Sequence, residues 1–340
     1  MKPEVSIIIP VFNRFELLNE TIASVLEQSH QEIEVLLIDD GSKKPLLNYV
    51  LSNFQDERII VLERSGLPKG AATCRNIGLN YASGDFLIFL DSDDLLDSEC
   101  VVNRLDFAKN HSTSDFYVFN TAGFKKKVGD FNLIWNHLYR PQEDLVRFLS
   151  GDTPWATLSV MWKKGSLLQI GGWNEDAICW QDWELHIRSI LSDLTYEKTQ
   201  KDQTDCYFRV DHDHESIGKG ESLPKYLESR FKSLNELHAL FQYSKDSKYN
   251  LYWLLAYFRI AAMADYLGEE SLRDEVWATA LHSIEGVKMW GYFWTKYLHF
   301  GFHRESSFGS FLKKCFDFLA YSFCPVHFWD TKNTFKKSFR

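Results

Sequence analysis

Two acidic clusters stand where apolar runs stop: Asp39-Asp40-Gly41-Ser42 after Ile33 to Ile38, and Asp91-Ser92-Asp93-Asp94 after Asp85 to Leu90. Asp and Ser at such positions can cap a following helix by accepting its free N–H groups. Two clusters on strands of one parallel sheet would instead share an edge, where carboxylates repel one another unless a cation joins them. Hard oxygen ligands suit Mg²⁺ or Mn²⁺, and Mg²⁺ is commonly held by one or two carboxylates plus substrate phosphates. The chemistry implied is metal-assisted handling of a phosphorylated ligand.

Such clusters need a scaffold, and the first half of the chain supplies a β-α-β-α rhythm. Val5 to Phe12 is a nearly continuous β-branched and aromatic run, as expected of a strand buried on both faces. Phe15 to Gln28 places Leu17, Leu18, Ile22, Val25 and Leu26 at helical spacing. Further strands are expected over Ile33 to Ile38, Arg58 to Leu62 and Asp85 to Leu90, with a helix over Ala71 to Tyr81. The pattern predicts an α/β fold with a mostly parallel, doubly wound sheet, whose ligands bind beyond the carboxyl ends of the strands. Residues 115 to 215 read as mixed strand and helix. Beyond about Ser222 helical patterns rich in Trp, Tyr, Phe and Leu take over.

Composition excludes several classes. The chain has 340 residues and a formal net charge of -9, which argues against general nucleic-acid binding. No G-x-G-x-x-G follows the first strand and no G-x-x-x-x-G-K-[ST] occurs, which disfavours dehydrogenases and P-loop NTPases. The six cysteines are scattered without a C-x-x-C pair, so neither a zinc site nor a secreted disulfide framework is expected. No signal-peptide h-region follows Met1, and Leu251 to Ala264 is broken by Arg259, short of a membrane span. A reducing, cytoplasmic setting is expected.

A series of motifs resembles the family 2 inverting glycosyltransferases with the GT-A fold. The matching stretches are Val5 to Arg14, Val35 to Ser42, Gly70 to Gly78, Gly84 to Asp94, Gly171-Gly172-Trp173-Asn174-Glu175 and Gln181-Asp182-Trp183-Glu184. They cover roughly the first 220 residues, so a catalytic domain over 1–222 and a helical extension over 223–340 are expected. The resemblance implies a nucleotide diphosphate sugar donor, UDP-linked, and a glycan or lipid-linked acceptor hydroxyl. Pro10 and Asn13 would line the nucleotide pocket, and Asp40 would accept hydrogen bonds from the base. Arg75 would lie near the base or phosphates, with a surface ion pair as its alternative. Asp91 would reach the ribose or a metal-bound water, Asp93 would bind Mg²⁺ or Mn²⁺, and Asp94 would cap a helix. Asp182 would be the general base of a single inverting displacement, or the N-cap of the helix expected over Trp183 to Arg188. Family members usually carry Glu-Asp where this chain has Gln181-Asp182.

The segment Phe208 to Ile217 resembles the one that delivers a histidine toward the metal or diphosphate, with His212 favoured over His214. The other nine histidines are read as structural. Trp155, after Pro154, is expected to touch sugar and Trp173 to be core. A non-catalytic sugar-binding module, or a nucleotidyltransferase, stands as the alternative. Between residues 313 and 340, six Lys or Arg stand against Asp317 and Asp330. Basic residues mixed with Phe and Trp suit an anionic membrane surface, although a helical bundle packed on the catalytic domain is the preferred reading of this third.

Overall fold

The computed structural model describes residues 2–66, 68–131, 133–200, 203–210, 224–242 and 246–299. Four parallel strands form its centre: β1 (Val5–Val11), β2 (Ile33–Asp39), β3 (Ile59–Glu63) and β4 (Phe86–Phe89). They lie in the order β3-β2-β1-β4, with Val5 opposite both Ile33 and Phe86. Side chains alternate across the pleat, so Ile7 and Ile9 face one hydrophobic cluster and Ile8 the other. Helix α1 (Phe15–Leu26) buries Leu18, Ile22 and Val25 in the first cluster, joined by Leu46 and Val50 of α2 (Leu46–Asn53). Helix α3 (Ala71–Tyr81) covers the opposite face through Ala72, Cys74 and Leu79. Gly78 lets α3 lie close against β1, since a Cβ there would fall 2.4 Å from Ile8 Cγ2.

After β4 come β5 (Leu95–Leu96), α4 (Cys100–Asn110), β6 (Phe116–Val118), β7 (Asn120–Phe124) and β8 (Leu133–Ile134). Then follow α5 (Asp144–Leu149), β9 (Val160–Lys163), α6 (Lys164–Gln169), α7 (Gln181–Leu191), β10 (Tyr196–Lys198) and β11 (Thr204–Arg209). The central sheet is extended beyond β4 by β9, β6 and β10, and β9 runs antiparallel to both of its neighbours. A second sheet, ordered β5-β11-β7-β8, stands beside the end of β4.

The chain closes with α8 (Pro224–Phe241), α9 (Asn250–Leu267), α10 (Glu270–Ser283) and α11 (Lys288–His299). Leu227 and Phe231 of α8 and Trp253 and Leu254 of α9 belong to the same apolar cluster as Ile8 of the sheet, Phe148 of α5 and Trp183 of α7. The C-terminal helices therefore continue the core under the sheet rather than building a separate one. Cys74, Cys100, Cys179 and Cys206 are buried and in no disulfide. Among the described residues no helix is long and apolar enough to cross a membrane. The basic residues between 313 and 340 lie outside the described residues.

Candidate active site

The carboxyl ends of β1 and β2 are tied into one rim. The Asp40 amide donates to Val11 O at 2.8 Å, the Asn13 amide to Ser42 Oγ at 3.0 Å, and the Lys43 amide to Asn13 Oδ1 at 2.8 Å. Asn13 adopts φ 64, a left-handed conformation that Asn tolerates better than most residues. Its side chain thus locks two loops together, while Pro10 closes β1 one residue before its end. Asp40 is buried, and its Oδ1 accepts from Arg64 Nε at 2.6 Å and the Gly70 amide at 3.2 Å.

Neither acidic cluster caps a helix. Helix α2 starts behind Pro45, and the turn after β4 leads into β5, so the capping alternative fails for Asp40 and for Asp94 alike. Asp91 to Asp94 instead form a tight turn closed by the Asp94 amide donating to Asp91 O at 3.1 Å. Asp91 accepts from Arg75 Nη2 at 2.7 Å and Asp93 from Arg14 Nη1 at 2.7 Å. Buried Asp94 accepts the Arg209 amide at 2.9 Å, while Arg209 Nε donates to Asp93 O at 3.0 Å and Nη2 to Glu20 at 2.6 Å. Strand β11 is thereby stitched to the acidic turn. Burial, then the neighbouring Asp91, lifts the Asp93 carboxyl above its ordinary range, against the pull of Arg14 and Arg209. Asp94 is lifted further, by burial and then by Asp93 and Asp91.

Arg75 is 5% exposed, so the ion pair held as its alternative is present, with Asp91, but buried on the arginine side rather than at the surface. Its guanidinium lies 4.3 Å from the ring centre of Trp173 and donates from Nη1 to Gln181 Oε1 at 3.0 Å. Trp173 is held by reciprocal bonds with Asn76, its amide donating to Oδ1 at 2.8 Å and its carbonyl accepting from Nδ2 at 2.9 Å. Glu175 accepts from Thr73 Oγ1 and Asn76 Nδ2 at 3.0 and 2.8 Å. Gly172 has φ 70 and a Cβ there would sit 2.6 Å from Asn76 Oδ1, which accounts for the glycine.

Asp182 is the second residue of α7, partly exposed, and not its N-cap, a position taken by Trp180 at φ 54. Its Oδ1 accepts the Trp183 amide at 2.8 Å. Burial lifts its carboxyl above the ordinary range. The Trp183 amide and Arg75 oppose that shift, and Asp91 adds to it. Asp182 and Asp91 therefore sense each other across Arg75, although far apart in sequence.

Trp155 is a correction. It is fully buried against Phe148, His186 and Tyr196, with ring centres 5.0 to 5.7 Å away, and cannot touch sugar. Trp173 is core, as expected. His186 is buried, and desolvation pushes its pKa down to about 3, the behaviour of a neutral core histidine. His212 and His214 lie outside the described residues. Arg64 and Arg209 carried no signal in the sequence, because each ion pair joins residues distant along the chain. Arg14 stood in a motif without a role.

The acidic turn suits a divalent cation in one particular way. Among the described residues the one trio of ligand atoms within reach of a shared ion is Glu4, His30 and Glu32, at the amino ends of β1 and β2 and away from this rim. The turn is therefore no closed protein cage. Its mutually repelling carboxylates fit an ion completed by phosphate oxygens.

Residues 6–166 match the family described as Glycosyl transferase family 2. An uncharacterized glycosyltransferase of Haemophilus influenzae is 40% identical over 110 residues, which are 32% of this chain and 44% of that protein. The Escherichia coli UDP-Glc:alpha-D-GlcNAc-diphosphoundecaprenol beta-1,3-glucosyltransferase WfgD is 45% identical over 102 residues, 30% of this chain and 38% of that one. The chain thus spans less than half the length of either relative. The crystal structure of S. aureus TarS 1-349 in complex with UDP-GlcNAc superposes with TM-score 0.57 at 16% identity, covering 88% of this chain and 92% of that one. That likeness shows the fold, which is GT-A with added C-terminal helices. The stretch that matches glycosyl transferase family 2, residues 6–166, is the one whose strand ends carry the carboxylates described above.

Proposed function

We propose that the protein transfers a sugar from a UDP-sugar to a hydroxyl of a glycan or lipid-linked acceptor, inverting the anomeric centre in one displacement. The observation that carries this reading is Arg75, which reaches Asp91 on one side and Gln181, next to Asp182, on the other. These two contacts support reading Asp182 as a base close to a carboxylate turn that would meet the diphosphate.

In this reading Pro10 and Asn13 shape the nucleotide pocket and Asp40 accepts from the base. Asp91 takes the ribose or a metal-bound water. Asp93 would hold Mg²⁺ or Mn²⁺ with the donor phosphates, and the ion supplies charge neutralisation as the nucleoside diphosphate leaves. His212, with His214 as the alternative, would approach the same phosphates, as the resemblance of the segment Phe208 to Ile217 implies. Asp182 takes the proton of the acceptor hydroxyl as that oxygen attacks. Its raised carboxyl brings its basicity closer to that task. Trp180 and Trp183 crowd the start of α7, with ring centres 5.2 Å apart, and the acceptor would bind near that end of the helix. That WfgD is named for a UDP-Glc donor and a diphosphoundecaprenol-linked acceptor supports the choice of donor and acceptor class. Peripheral contact with an anionic bilayer rests on the basic residues between 313 and 340, and vesicle flotation tests it.

A panel of nucleotide sugars tests the whole reading on the full chain. One UDP-sugar, with Mn²⁺ and not with EDTA, is expected to stabilise the fold by about 2–3 kcal/mol at a hundredfold excess over its Kd. It should also yield a product of inverted anomeric configuration by NMR. Binding without transfer or donor hydrolysis would make the protein a sugar-binding module instead.

A further inference from the structure

We infer that Gln181 is a positioning residue, holding Arg75 between the acidic turn and the base-bearing helix while adding no charge beside Asp182. The inference rests on the reading of Asp182 as the base.

The geometry around Gln181 is cut for an amide. Its Oε1 accepts from Arg75 Nη1 at 3.0 Å while its Nε2 donates to Ala177 O at 2.8 Å. A carboxylate could serve Arg75 but would turn an oxygen toward the Ala177 carbonyl. Behind this pair, Arg75 is pinned by Asp91 at 2.7 Å and by the Trp173 ring. Gln181 is therefore the link through which the α3 arginine, and with it the Asp91 turn, fixes the start of α7, where Asp182 is the next residue.

The charge balance follows from the same contacts. The charged groups acting on Asp182 are Arg75 of α3, which favours its ionised form, and Asp91, which opposes it. On α7 itself Glu184 is paired with Arg188, on α5 Asp144 is paired with Arg147, and on α8 Arg230 stacks on Trp180. With a neutral residue at 181, the positive charge of Arg75 contacts Asp91 and acts on Asp182 at longer range. A glutamate there would claim part of that positive charge and leave Asp182 easier to protonate.

Two variants of the full chain separate geometry from charge, read as kcat against pH at saturating donor with Mn²⁺. For Gln181→Glu the acid limb is expected to move up by about one pH unit. Its plateau is expected to fall less than that of Gln181→Met, because the bond to Arg75 is kept and only the one to Ala177 is lost. For Gln181→Met, which loses both bonds at constant charge, the plateau kcat is expected to fall about tenfold or more with donor KM little changed. An unmoved acid limb in folded Gln181→Glu overturns the inference, and so does a wild-type plateau in Gln181→Met. The second variant carries the test alone should the first not fold. Asp182→Asn run alongside keeps the two ideas apart. If it abolishes transfer while the limb of Gln181→Glu stays put, only the role of Gln181 is lost. If Asp182→Asn turns over normally, the base assignment itself is lost.

Discussion

At the residue scale, the acidic turn is a place where the protein accepts unfavourable electrostatics. Asp94 is buried, close to Asp93 and Asp91, and its carboxyl is held well above the usual carboxylate range by burial and then by those two charges. A carboxyl raised in the folded state binds its proton more tightly there than in the unfolded chain. Its contribution is then fully favourable below the unfolded value of about 3.9 and is lost as pH climbs through the raised folded value. Asp94→Asn keeps an oxygen for the Arg209 amide and removes the charge. In EDTA its melting temperature at pH 8 is expected to exceed wild type by about 2–4 °C, with a smaller gain at pH 4. Calorimetry at the two pH values checks this, and an equal gain at both would show that ionisation of Asp94 is not the cause. Asp40, Asp91, Asp93 and Asp182 could be picked out of the sequence as candidates because element ends and family-like motifs mark them. Of the arginines paired with them only Arg75 could be, since an ion pair such as Arg64 with Asp40 leaves no periodic trace. Trp155 misled for a related reason. A proline beside a tryptophan reads as an exposed loop, whereas here the segment runs through the core.

At the element scale, the site is set by how closely α3 lies on β1, because α3 carries Arg75, Asn76 and Thr73 on one side and its packing face on the other. Gly78→Ala drives a Cβ to 2.4 Å from Ile8 Cγ2 and 3.1 Å from Ile38 Cδ1, in a face with no slack. The expected cost is about 1–3 kcal/mol of unfolding free energy in urea, despite the better helix propensity of alanine. A stabilised variant would mean that the helix and sheet separate more easily than their contacts imply. The four parallel strands and α1, α3 and α7 could be read from β-branched runs and helical spacing. Helix α2 could not, being short, with two buried residues, Leu46 and Val50. Strands β5 and β8 are two residues each and exist through their pairing with β11 and β7. No local pattern predicts them.

At the scale of the molecule, α8 and α9 share one apolar cluster with the sheet, α5 and α7. A chain cut after Ser222 would expose the surfaces that meet Leu227, Phe231, Trp253 and Leu254. Such a truncation is expected to be insoluble or to melt without a cooperative transition. A soluble fragment with a sharp melt would assign the C-terminal helices to a separable domain. The change of character near Ser222 and a bundle packed on the catalytic domain could be read from the sequence, but not which surfaces meet, because periodicity tells which face is apolar and not what covers it. Long-range packing also underlies the central claim, that Asp40, Asp93 and Asp182 serve one cleft from three distant segments. It is tested most directly by Asp182→Asn, measured for UDP binding with Mn²⁺ and for sugar transfer in the same preparation. The account predicts unchanged nucleotide affinity with transfer reduced by about 10²- to 10⁴-fold. Transfer at the wild-type rate would contradict it.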